Sequence, residues 1–271
     1  MLRSETVCAS PNAGQKSLLH KPSTSYFNGR LRPCLDWAMM KGWRLQHLET
    51  HRDLRRSAFV RKPAPKPTVI DRLALWMSTS RTVDGLWVGS TESKPQPCLR
   101  RVEDALQLIK RHDALHYSRV IHNLERIWVY LIPNARAAYY PSMNSCVLDR
   151  RFVLLETTTL EQIASDIVHE ATHARLERWG IGYDDEKTRT RVEAICLRRQ
   201  LNFVGKLPHG DPVQEEIART LEWCVSNPDY FSNVSLQQRT DQGQVEAARY
   251  LGTPDWFIRL MLKTRKVFRG F

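Results

Sequence analysis

The stretch Leu160–Trp179 reads LEQIASDIVHEATHARLERW and includes Val168-His169-Glu170-Ala171-Thr172-His173. Residues four apart on a helix lie one above the other on the same face, so His169 and His173 can point at one metal ion. Glu170 lies about 100° around the helix from His169, within reach of a water on that metal. Two imidazoles and a carboxylate at this spacing form the H-E-x-x-H arrangement of zinc sites, with the carboxylate as general base.

Apolar and polar residues occupy different faces of this predicted helix. At about 100° per residue, the apolar side chains cluster on one face, which predicts the core side, while both histidines and Glu170 share another. Thr158 and Glu161 fit a capping box at the start of the helix, and Gly180 predicts its end. The position of the motif on a capped amphipathic helix favours a metal site over a solvated pair of histidines.

A third ligand is needed, because catalytic zinc usually has three protein ligands and one open position. We expect it to be Glu193, on a second long helix predicted over Glu186–Val204. Apolar residues flank Glu193, and a carboxylate among them is costly unless it is paired or bound to a metal. The alternative is a salt bridge to Arg189, four residues earlier. The rival candidates for the third ligand are Glu177, Asp184, Asp185 and His209.

The rest of the chain predicts a small sheet followed mostly by helices. β-Branched and aromatic residues predict a strand over Arg126–Ile132. Further short strands are predicted at Gly85–Gly89, Ala137–Tyr140, Cys146–Leu148 and Arg151–Leu155. Apolar periodicity predicts additional helices over Val69–Met77, Val102–His112, Val213–Cys224, Gln244–Leu251 and Pro254–Val267. This order predicts an α+β fold, in which the sheet packs on the motif helix and the glutamate helix, with additional C-terminal helices.

Positive charge is concentrated near the N-terminus. Residues 1–70 hold thirteen Lys/Arg and four Asp/Glu, which is +9 of the total +12. The Pro-rich stretch Arg61–Pro67 predicts a boundary between a basic, partly disordered arm (residues 1–66) and a domain over 67–271, whose core spans about 101–205. We expect a solvated arm; nucleic acid or an anionic surface is its alternative partner.

Sequence features bearing on the cellular compartment point to the cytoplasm. No apolar run approaches the length of a bilayer span, and the N-terminus lacks the apolar region of a secretory signal. The six cysteines are far apart, and no C-x-x-C pair occurs. We therefore expect a cytoplasmic protein with free thiols and no transmembrane segment.

The motif and the downstream glutamate together resemble the zincin metallopeptidases, in the branch whose third ligand is a glutamate, the gluzincins. The nineteen residues between His173 and Glu193 match the thermolysin-like spacing, and the resemblance covers Arg126–Phe203. It implies a zincin-like sheet, a Zn²⁺ ion held by His169, His173 and Glu193, and a peptide or protein substrate. The activity implied is that of a zinc metallopeptidase, with Glu170 as general base to a metal-activated water.

The resemblance also implies a donor for the developing oxyanion and an edge strand that pairs with extended substrate. Tyr183 is the leading candidate for the donor; weaker ones are Tyr139, Tyr140 and His209. Cys146–Leu155 occupies the chain position expected of the edge strand.

Two residues depart from the pattern of the resembled clan. Arg175 stands where an uncharged residue is usual, and Leu197 stands where thermolysin-like enzymes place an acidic residue that orients a ligand histidine. Hydrogen-bond support for the histidines is then expected from Asp166 or from a backbone carbonyl. Two alternatives to a peptidase stay open: a basic protein that binds nucleic acid or an anionic surface, and a metal-binding pseudo-peptidase without activity.

Overall fold

The computed structural model of the protein describes residues 6–8 and 66–260. A mixed sheet runs through it in the order β1-β5-β6-β4-β3-β2. Its strands are β1 (Thr6–Cys8), β2 (Thr79–Val83), β3 (Leu86–Ser90), β4 (Arg126–Tyr130), β5 (Ala137–Tyr140) and β6 (Ser145–Asp149). The central strands β3, β4 and β6 are parallel, whereas β2, β5 and β1 each pair antiparallel with their neighbours.

Eight α-helices are assigned bounds within residues 66–260. They are α1 (Val69–Trp76), α2 (Gln96–His112), α3 (Ala114–Asn123), α4 (Arg150–Leu154), α5 (Leu160–Arg178), α6 (Glu186–Val204), α7 (Asp211–Ser226) and α8 (Asn233–Tyr250). The main core lies between one face of the sheet and α2, α3, α5 and α6. Since side chains alternate along a strand, the other face buries a second set around Trp128, against which α1 packs. The α+β class is confirmed.

The motif helix α5 begins one residue later than predicted. Thr159, not Thr158, is the N-cap, and it exchanges hydrogen bonds with Gln162 in place of Glu161. Thr158 is buried, and its carbonyl accepts a hydrogen bond from Arg101, which keeps it outside the helix. Gly180 follows the C-cap with φ 75°, as predicted.

The segment after β6 was predicted as a strand but forms the short helix α4. The carboxylate of Asp149 accepts hydrogen bonds from the backbone N–H groups of Arg151 (2.7 Å) and Phe152 (3.4 Å), so it caps a helix there. The prediction that Cys146–Leu155 supplies the edge strand is also wrong, because β6 lies between β5 and β4.

Strand β5 lies next to the motif helix α5, between β6 on one side and β1 on the other. In the antiparallel pair of β1 and β5, Val7 lies opposite Ala138 and Cys8 opposite Ala137. Thr6–Cys8 falls in a stretch that was predicted to be disordered and is a strand instead. The rest of the predicted arm, residues 1–5 and 9–65, and the end of the predicted last helix lie outside the described residues.

Two further sequence expectations concern cysteines and membrane spans. Cys98, Cys146, Cys196 and Cys224 are buried free thiols, as predicted for these four. None of the helices in the described part of the chain has the length and apolar character that a bilayer span requires.

Candidate metal centre

Helices α5 and α6 bring His169, His173 and Glu193 together. The Nε2 atoms of the two imidazoles are 3.1 Å apart. One carboxylate oxygen of Glu193 lies 3.4 Å from Nε2 of His169, and the other lies 3.6 Å from Nε2 of His173. Each of the three side chains is about 3–4% exposed. The residues predicted as ligands therefore converge in the interior.

These separations can be tested against the size of a zinc ion. Bonds of about 2.0–2.1 Å to nitrogen or oxygen, arranged as a tetrahedron, place neighbouring ligand atoms roughly 3.3 Å apart. The observed distances of 3.1, 3.4 and 3.6 Å bracket that value. The 3.4 and 3.6 Å distances end on the two different oxygens of Glu193, so the carboxylate as a whole faces both imidazoles across a gap of the size of a metal site.

A salt bridge between Glu193 and Arg189, the alternative to a ligand role, does not form. The guanidinium of Arg189 donates to the backbone carbonyls of Tyr183 (2.7 Å), Phe231 (3.0 Å) and Asp184 (3.3 Å). Arg189 therefore anchors the loop before α6 and leaves the Glu193 carboxylate to face the imidazoles.

Gln200, about two turns along α6 from Glu193, fixes the orientation of His169. Its amide oxygen lies 2.9 Å from Nδ1 of His169, while its amide nitrogen donates to Ser165 (3.1 Å) and Asp166 (3.0 Å). Because the nitrogen is held by these oxygens, the amide oxygen must face His169, and Nδ1 carries the proton. Nε2 is then directed at the cluster. Asp166 supports the histidine as expected, but through Gln200.

Burial and neighbouring charges shift the pKa values of the three predicted ligands in different directions. Burial alone would lower the pKa of His169, but Glu193 and Glu170 outweigh it and raise that pKa to about 9. Burial lowers the pKa of His173 to about 3, with the charge of His169 acting in the same direction. Burial acts to raise the pKa of Glu193, but the two imidazoles outweigh it and lower that pKa to about 2. Without a metal, these shifts favour a protonated, positively charged His169 and a neutral His173 beside an ionised Glu193.

Cys196, which was not predicted as a ligand, also belongs to the cluster. Its Sγ lies within 4.8 Å of ligand atoms of both His169 and His173, so this buried His-His-Cys group could hold a metal ion. Burial, followed by the charges of Glu193 and Glu170, raises the pKa of the Cys196 thiol well above its ordinary value. Its spacing of three residues from Glu193 on α6 is the sequence signal that could have identified it.

The two predicted catalytic residues take different positions. Glu170 is fully buried, lines the same cleft as His169 and Glu193, and is close enough to raise the pKa of His169. Tyr183 packs edge-on against His173, with ring centroids 5.7 Å apart, and a hydrogen bond from it helps to lower the pKa of Glu193. Tyr183 is therefore placed behind the ligands, whereas Glu170 faces the cleft.

The rival ligand candidates lie elsewhere. Asp184, Asp185 and His209 are exposed, and Asp185 caps α6 by accepting from the N–H of Lys187. Glu177 lies at the far end of α5, next to Gly182. Tyr139, an alternative donor, uses its hydroxyl on Asn144 at 3.0 Å.

The cleft that contains the cluster is rich in carboxylates. Its lining includes Asp166, Glu170, Glu193 and Glu216, and the one guanidinium among the described lining residues is that of Arg136. Arg136 lies 2.7 Å from Glu216 and 3.5 Å from Asp166. Such an excess of negative charge in a buried cleft favours a bound cation.

Comparisons with known protein families, with curated proteins and with solved structures found no match to this chain. The resemblance to zincin metallopeptidases therefore depends on the H-E-x-x-H motif and its spacing to Glu193 alone.

Proposed function

We propose that this protein is a zinc-dependent hydrolase of peptide bonds, with Zn²⁺ held by His169, His173 and Glu193 and with Glu170 as general base. The observation that carries the proposal is the convergence of two imidazole nitrogens and the Glu193 carboxylate, all buried and 3.1–3.6 Å apart, beside the buried carboxylate of Glu170. A zinc ion bound there would activate a water and polarise the scissile carbonyl.

Each side chain then has a defined task. Glu170 accepts the proton of the attacking water and delivers it to the leaving amine. Gln200 keeps a proton on Nδ1 of His169, so that Nε2 is the nitrogen directed at the metal once it has lost its own proton. The two imidazoles favour the ionised form of Glu193, and a hydrogen bond from Tyr183 adds to their effect. Arg136 lines the cleft and is the candidate to stabilise the developing oxyanion, the task first assigned to Tyr183.

Extended substrate would pair with the outer edge of β5, because Ala137 of that strand lines the cleft. That edge is also where Thr6–Cys8 pairs. A peptide substrate and the N-terminal strand therefore compete for the same backbone groups.

The test is the substitution Glu170→Gln in the zinc-loaded full chain, assayed by the release of new amines from a denatured protein substrate. We expect activity to fall by about 10²- to 10⁴-fold, as for the loss of a general base, while one zinc per chain is retained. Glu161→Gln, on the first turn of the same helix and outside the cleft, is the matched control and should keep full activity. A Glu170→Gln protein as active as the wild type would contradict the proposal.

A second function is favoured by Cys196. If Glu193 and Cys196 both bound the ion with the two histidines, four protein ligands would close the site, as in structural zinc centres. The protein would then be a metal-stabilised pseudo-peptidase. In that case Cys196→Ala would weaken zinc binding as strongly as Glu193→Ala, and the wild type would show no hydrolysis.

A further inference from the structure

A second cleft lies on the side of α5 away from the metal cluster. It is bordered by three arginines from three helices: Arg119 on α3, Arg175 on α5 and Arg199 on α6. We call it the arginine cleft. Its floor is apolar and includes Val120, Val168 and Ile195. No carboxylate occurs among the described residues that line it.

The three guanidiniums lie close enough to repel one another, and Asp113 is the carboxylate that partly offsets the charge at Arg119. Burial, followed by the positive charges of Arg175 and Arg199, lowers the pKa of Arg119, which shows that the three charges interact. Within residues 66–260 no ion pair involves any of the three, and Arg175 instead lies over the ring of Trp179, 4.4 Å from its centroid. Like charges gathered in this way destabilise the empty protein, and a multivalent anion would remove that repulsion.

A buried imidazole atom points to the same ligand. His116 lines the arginine cleft, is 3% exposed, and directs Nδ1 at the Asp113 carboxylate at 2.5 Å. Its other ring nitrogen, Nε2, is buried and has no hydrogen-bond partner in the described part of the chain. Burial lowers the pKa of His116, which favours the neutral ring, and with Nδ1–H donating to Asp113 the Nε2 atom is an acceptor. Buried polar atoms are normally hydrogen-bonded, so Nε2 indicates a ligand atom that carries a proton.

The shape of the cleft indicates what the anion is attached to. Trp179 is 53% exposed at its rim, and the floor between the arginines is apolar. An exposed indole beside an apolar floor suits an aromatic or apolar group, and guanidiniums suit the oxygens of a phosphate. A phosphate monoester that keeps one proton offers anionic oxygens to the guanidiniums and an O–H to Nε2 of His116, whereas a carboxylate ion has no such proton.

We propose that the arginine cleft binds a small phosphate monoester with an aromatic or apolar organic group, held by Arg119, Arg175 and Arg199 with His116 at its floor. This site is independent of the proposed peptidase activity, because it uses the opposite side of α5 and none of the metal ligands.

The proposal is tested by isothermal titration of the full chain with phenyl phosphate, inorganic phosphate and phenol, each with and without zinc. We expect phenyl phosphate to bind more tightly than inorganic phosphate, phenol not to bind, and zinc to leave the affinity unchanged. Arg175→Gln and Arg199→Gln should each weaken phenyl phosphate by roughly 10- to 100-fold, the effect of losing one charge-assisted contact.

Arg198→Gln is the matched control, since Arg198 is exposed, adjacent to Arg199 and outside the cleft. It removes the same charge and should change the affinity less than twofold. If Arg198→Gln weakens binding as much as Arg199→Gln, the anion is attracted by the net charge of the chain and the proposal is wrong. Absence of phenyl phosphate binding to the folded wild type would also overturn it.

Discussion

Replacing Gln200 by methionine tests the hydrogen-bond chain that orients the metal cluster. The substitution nearly preserves volume but removes the acceptor 2.9 Å from Nδ1 of His169, together with the donors to Ser165 and Asp166. Loss of such support typically weakens metal binding by about 10- to 100-fold, or about 1.4–2.8 kcal/mol. The oxygens of Ser165 and Asp166 would lose the hydrogen bonds from the Gln200 amide, which should lower the free energy of unfolding by a further ~1–3 kcal/mol.

The two effects can be measured separately. Zinc affinity is obtained by competition with a chromophoric chelator, and stability by urea unfolding of the metal-free protein. Gln200→Glu serves as the rescue variant, because it returns an oxygen acceptor to His169 without returning the donor to Asp166. We expect it to recover zinc affinity while remaining less stable than the wild type. A folded Gln200→Met protein that binds zinc within twofold of the wild type would refute the role assigned to Gln200.

Three further outcomes follow from the structure. Zinc binding must displace a proton from His169, because the pKa of that residue is raised to about 9. The affinity for zinc should therefore rise about tenfold per pH unit up to pH 9. A zinc affinity that does not vary with pH would contradict this. Burial acts to raise the pKa of Asp113, but Lys206 and His116 outweigh it and lower that pKa to about 2. The ionised Asp113 carboxylate therefore stabilises the fold above pH 4, and this contribution is lost as the pH falls towards 2. The free energy of unfolding in urea should fall by about 2 kcal/mol over that range, and the fall should be absent in Asp113→Asn. Deleting residues 1–10 removes β1 and exposes the outer edge of β5. The KM for extended peptides should therefore fall, with kcat unchanged. An unaltered KM would show that the substrate does not bind at the edge that β1 occupies.

Local patterns predicted the elements that build the metal cluster. The second helix has the predicted bounds, Glu186–Val204, and β5 has the predicted bounds, Ala137–Tyr140. Both are strongly patterned stretches, for which periodicity and composition suffice. The convergence of Glu193 on the two histidines was expected from the apolar residues that flank it and from the thermolysin-like spacing of nineteen residues.

Features that depend on tertiary contacts were missed. Gln200 acquires its role because α6 packs on α5, and nothing in its immediate neighbours marks it, whereas Cys196 is marked only by its spacing of three residues from Glu193. Strand β2 was not predicted, although Asp84 and Gly85, with φ values of 47° and 86°, form the tight turn that Asp-Gly favours between paired strands. The pairing of Thr6–Cys8 with β5 joins segments about 130 residues apart in the chain, beyond any local signal.

X-ray absorption spectroscopy of the zinc-loaded protein tests the proposed metal centre most directly. We predict one zinc per chain surrounded only by nitrogen and oxygen at about 2.0–2.1 Å, with two imidazoles and the carboxylate of Glu193, and with the remaining position open to water. Glu193→Ala should remove one oxygen from that shell, and Cys196→Ala should leave it unchanged. A sulfur neighbour at about 2.3 Å, lost in Cys196→Ala, would show a ligand set that includes Cys196 and would contradict the His169–His173–Glu193 site.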